Sequence, residues 1–66
     1  MKLTKTGIKK YETKVGDITY KITPNNYSYY LQYDLVAIDK ESNYIDYSRE
    51  FMPNLNTVRE FIKKIS

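Results

Sequence analysis

Three kinds of side chain in this sequence could do chemistry: carboxylates, lysine ammonium groups and tyrosine rings. Asp34, Asp46 and Glu50 fall at alternating positions that project from one face of neighbouring strands, where carboxylates that approach one another can share a proton. Nothing beside them reads as a serine elbow, a metal triad or a paired acid motif, so they are expected to be solvated surface groups. The chain has no His, Cys or Trp, and its two glycines, Gly7 and Gly16, stand alone. That composition excludes imidazole bases, thiol nucleophiles, zinc sites, disulfides and glycine-rich phosphate loops. The expectation is a protein without catalysis, metal or cofactor.

Lysines gather early. Lys9, Lys10, Lys14 and Lys21 lie on or near the first hairpin, and Tyr30 would sit beside Lys21 on the polar face. Sheets that hold nucleic-acid strands combine such cations with rings on which bases stack, so these five residues are the candidate nucleic-acid set. Tyrosine is the other excess, with 8 residues of 66. Its placement depends on the elements that carry it.

Those elements follow from the punctuation. Gly16-Asp17 suits a two-residue type II′ hairpin turn, Pro24-Asn25-Asn26 marks a second turn and Asp39–Asn43 a third. A two-residue first turn pairs Val15 with Ile18, Thr13 with Tyr20 and Tyr11 with Ile22, and sets Glu12 against Lys21. A four-residue loop Pro24–Tyr27 pairs Ile22 with Tyr29, Tyr20 with Leu31 and Ile18 with Tyr33. A five-residue loop Asp39–Asn43 pairs Ala37 with Ile45, Leu35 with Tyr47 and Leu31 with Phe51, and puts Arg49 in the apolar register beside Tyr33. All three turns place the apolar residues on one side. The reading is an α+β, four-stranded antiparallel meander over roughly 8–15, 18–23, 28–38 and 44–51. Pro53 ends the strands and Asn54 caps a helix over about 55–65, whose stripe is Leu55, Val58, Phe61, Ile62 and Ile65. The order is ββββα, one small domain.

One helix is about 10 Å wide, whereas four strands span about 19 Å, so part of the apolar face is expected to stay open along an edge. That makes Tyr11, Tyr29, Tyr33 and Tyr47 candidate protein-binding residues on the apolar face. Val36 and Ile38, next to Tyr44 on the polar face, form a second apolar spot or mark a bulge.

Charge is unevenly spread. Residues 1–24 carry six Lys against Glu12 and Asp17, a balance of +4; residues 25–54 carry two cations against five acids, −3; residues 55–66 carry three cations against Glu60, +2. The acidic middle limits how far a basic face can extend. Lys, Ile, Asn and Tyr make up 29 of the 66 residues, and their A/T-rich codons point to an AT-rich genome such as a low-GC bacterium or its phage. There is no apolar run of membrane-spanning length and no signal-peptide core, so the host cytoplasm is the expected location. Together these features predict a small accessory or regulatory factor that contacts a protein partner or pairs with itself as a homodimer. Inhibition of a host enzyme or defence system is the concrete version, and nucleic-acid binding the alternative.

Overall fold

The computed structural model describes residues 1–26 and 31–66. Five strands and one helix follow in order: β1 (Thr4–Gly7), β2 (Lys10–Val15), β3 (Ile18–Asn26), β4 (Leu31–Ile38), β5 (Tyr44–Asp46) and α1 (Leu55–Ile65). The strands form one antiparallel sheet in the order β1-β2-β3-β4-β5. The architecture is α+β, with five strands rather than the expected four.

The added strand is β1. Thr4-Lys5-Thr6 has no apolar alternation to announce it, because it lies at the sheet edge with its side chains in water. It pairs Thr4 with Glu12 and Lys5 with Tyr11, then slips by one residue before Gly7 meets Lys10. The extra residue, Thr6, makes a β-bulge in the edge strand. Ile8, expected to open a strand, instead sits with Lys9 in the β1–β2 turn.

The β2–β3 hairpin has the expected register, from Val15 opposite Ile18 to Tyr11 opposite Ile22. Gly16 takes a φ of 62°, as the first central position of a type II′ turn requires. The next hairpin differs. β3 runs through Pro24-Asn25-Asn26, and Ile22 meets Leu35 rather than Tyr29, Tyr20 meets Ala37 rather than Leu31, and Pro24 meets Tyr33. Pro24 is tolerated because alternation along β3 aims its nitrogen away from β4, towards the side where β2 has ended at Lys10. The displacement from Tyr29 to Leu35 is six residues, an even number, so every side chain keeps its face. Tyr29, and the expected turn and strand positions from 27 to 30, lie outside the described residues.

At the third hairpin Ala37 faces Ile45 as expected. The Tyr47 N–H then donates to the Leu35 carbonyl at 2.9 Å. Beyond it the strand does not continue to 51. Asp46 Oδ1 accepts the Ser48 N–H at 2.8 Å, the Glu50 N–H donates to the Tyr47 carbonyl at 3.0 Å, and the chain turns. It rejoins β4 where the Tyr33 N–H donates to the Met52 carbonyl at 2.9 Å. In an unbroken register Arg49 would hold that place. Met52 stands three positions later, an odd number, so the faces exchange: Met52 is 1% exposed and Phe51 is 61% exposed. Arg49 is in water and not beside Tyr33 in the apolar layer.

α1 begins as its sequence dictates. Asn54 is extended (φ −149°, ψ 170°), and its Oδ1 accepts the Thr57 N–H at 2.9 Å and the Thr57 hydroxyl at 3.0 Å. Lys63 and Lys64 occupy the last turn, where the helix dipole favours cations. The helix lies against β4, burying Val58 and Ile62, and the core comprises these with Tyr20, Ile22, Tyr33, Leu35, Ala37 and Met52. Phe61 meets Tyr47 edge-to-face, ring centroids 5.3 Å apart at 72°.

Candidate functional site

The helix covers one face of the sheet, so the other face is where exposed side chains can be organised by strand register alone. Along β4 that face carries Gln32, Asp34, Val36 and Ile38. β5 adds Tyr44 directly opposite Ile38, and Asp46 opposite Val36. The Ala37–Ile45 pair exchanges the ladder bonds, which makes Ile38–Tyr44 the closely approached kind of cross-strand pair, with Cα atoms about 4.5 Å apart. Val36, Ile38 and Tyr44 therefore form one apolar spot. Tyr44 is its projecting member, 72% exposed, and the two aliphatic residues are half-buried beneath. Lys21 flanks the spot from β3, opposite Val36, and Asp46 flanks it from β5. No bulge displaces this end of β4.

The Asp39–Asn43 loop presents Tyr44. Asp39 Oδ1 accepts the N–H groups of Glu41 and Asn43, each at 2.9 Å, and Asp39 Oδ2 accepts the Asn43 side-chain amide at 3.0 Å. Ser42 takes the left-handed conformation, φ 66°, and its N–H donates to the Asp39 carbonyl at 3.0 Å. Asn43 bonding, backbone first, holds the Asp39 carboxyl below the ordinary aspartate range, and the Ser48 N–H does the same for Asp46. A carboxyl with a lowered folded pKa adds stability above its unfolded value, and loses that contribution as pH falls through the folded one. The urea midpoint is thus expected to fall from about pH 4 downward, with a shallower fall in Asp39→Asn. Equal slopes for the two proteins would show that the carboxylate does not hold the loop.

The other expected protein-binding residues are placed differently. Tyr33 is a buried core residue, 8% exposed, and its N–H pairs with Met52 where the expected register would have set Arg49. Tyr11 and Tyr47 are half-buried against the core. Three exposed apolar residues escaped the sequence pattern. Ile45, 45% exposed, lies on the core face at the β5 margin, where the helix does not fully cover it. Phe51 faces outward, against the expected alternation, because Asp46 and Ser48 turn the chain, and Ile8 lies in a turn rather than in the expected strand.

Of the candidate nucleic-acid set, Lys10, Lys14 and Lys21 are exposed on the helix-free face, Lys9 is in the β1–β2 turn and Tyr30 lies outside the described residues. Asp34, Asp46 and Glu50 do not converge. Asp34 accepts the Asn25 amide at 2.9 Å, while the Glu50 carbonyl takes a long 3.4 Å bond from Gln32, and no group of three His, Cys, Asp or Glu among the described residues could hold a metal ion. Among the described residues no helix is long and apolar enough to cross a membrane. A scan against protein-family models found no match to this chain, and searches of the curated proteins and of the solved structures found none either.

Proposed function

We propose that this chain is a small non-catalytic binding protein that docks on a partner protein through the Val36–Ile38–Tyr44 surface. The observation that supports the reading is Tyr44 itself, a large ring 72% exposed, seated on two aliphatic side chains and held by a loop tied at Asp39. A rigid aromatic anchor on an apolar base, rimmed by Lys21 and Asp46, has the anatomy of an interface hot spot. The acidic charge of the β4–β5 half would steer approach to a basic patch on the partner. An accessory or regulatory factor of a phage or mobile element in an AT-rich host, inhibiting a host enzyme or defence system from the cytoplasm, is the concrete form.

Replacing Tyr44 by a photoreactive benzoylphenylalanine tests the surface directly. Irradiation in an extract of the encoding organism is expected to yield a discrete cross-linked protein, absent when the same group stands at Lys63 on the helix. Tyr44→Ala should then bind that purified partner at least about tenfold more weakly. Identical cross-links from both positions, or an unchanged affinity, would remove the surface from the interface.

A further inference from the structure

We infer that the bare face of β1–β3, together with the β1–β2 tip, is a second binding surface whose ligand is a single nucleic-acid strand. The inference does not rest on the protein-docking surface, which occupies the other half of the same face and meets this one at Lys21. Register places the cations. Lys21 lies opposite Glu12, so Lys10 and Lys14, two residues to either side of Glu12, are its diagonal neighbours at about 7–8 Å. The three ammonium groups form a triangle on an uncovered surface, and among the described residues none of them is held in an ion pair. Glu12 is the one acid between them. Thr4, Thr6 and Thr19 add hydroxyl donors around an open depression of about 340 Å³ that Glu12 and Lys14 also line. Lysine and hydroxyl donors without a protein partner are the groups that hold phosphates.

The tip supplies the second observation. Ile8 is 85% exposed, more than any other large apolar residue described, and Lys9 beside it takes a φ of 56°. Turns of this kind ordinarily carry Gly, Asn or Asp; a bare aliphatic side chain and a strained lysine both oppose folding. Local rules broken without a gain in packing mark positions retained for contact. An aliphatic group at Ile8, next to Lys9 and Lys10, can lie against a base while the lysines take the adjoining phosphates.

The shape of the charge selects a strand over other polyanions. Asp34 and Asp46 lie on the β4–β5 half of the same face. A planar anionic bilayer cannot touch the basic half without meeting them, and a duplex is wider than three strands, about 14 Å. A single strand can follow β1–β3 alone.

The test titrates the full chain into a fluorescein-labelled oligothymidylate of about 20 nucleotides. Three phosphate contacts at about 0.7 each give a log–log salt slope near −2, so affinity should fall roughly 20-fold between about 50 and 200 mM KCl. Lys14→Ala and Lys21→Ala should each flatten that slope by about 0.7, and Glu12→Gln should tighten binding. Ile8→Ser should weaken binding about fivefold at an unchanged slope. Circular dichroism will show these surface variants folded. No binding at about 100 μM protein in low salt overturns the proposal. So does equal competition by polyglutamate, tighter binding to duplex, or preference for phosphatidylglycerol vesicles. Full affinity in Ile8→Ser overturns the role of the tip.

Discussion

Met52→Ala is expected to lower the unfolding free energy by about 3 kcal/mol, and Phe51→Ala by less than about 1 kcal/mol. The contrast runs against ordinary intuition about ring size and follows from the turn at Ser48–Glu50. Met52 is 1% exposed and its loss leaves a cavity beside Tyr33 and the helix, whereas Phe51 is 61% exposed and gives up little burial. A chain of this length has a total stability of about 3–10 kcal/mol, so the methionine variant should lose about 12–24 °C in melting temperature. Urea unfolding followed by circular dichroism measures both. If Phe51→Ala were the more damaging change, the strand would run straight through to 51 and Arg49 would lie inward.

Ile62→Ala should destabilise by a similar amount, about 3 kcal/mol, while Lys63→Ala changes stability by less than about 0.5 kcal/mol. Ile62 and Val58 are the helix residues with no exposure at all, seated in the same cluster as Ile22 and Leu35. An 11-residue helix is marginal on its own, and the sheet's apolar face is equally unstable in water. Helix and sheet should therefore melt in one transition, in the wild type and in the variant alike. Loss of helical signal ahead of tyrosine near-ultraviolet signal would show that the sheet stands without the helix.

Much of this fold was legible because local chemistry and burial agreed. Gly16-Asp17 set the first register to the residue, Asp39–Asn43 set Ala37 against Ile45, and Asn54 with the stripe from Leu55 to Ile65 set the helix. Structure and side-chain pattern part company where a backbone device outweighs the pattern. Thr4-Lys5-Thr6 is a strand because β2 offers it an edge, which no periodicity records. Pro24 reads as a breaker until its nitrogen is seen to face no partner. The Val36–Ile38–Tyr44 spot was visible from alternation alone, since an even displacement of β4 against β3 leaves β4's faces untouched. Phe51, Ile45 and Ile8 were not, because their exposure is decided by a three-residue detour, by the width of one helix and by the position of a turn.

That even displacement has a kinetic consequence. Each strand pairs only with its neighbours in sequence, so the sheet can zip from short loops with little closure entropy, and collapse should be fast. A β3–β4 hairpin misaligned by two, four or six residues buries the same side chains, so nothing in the early collapse rejects it. Rejection comes later, when α1 must seat Val58 and Ile62 in one cluster with Ile22 of β3 and Leu35 of β4. The C-terminal helix should then act as the proofreader of the sheet, and the slow step of folding is expected to be the sorting that precedes its docking.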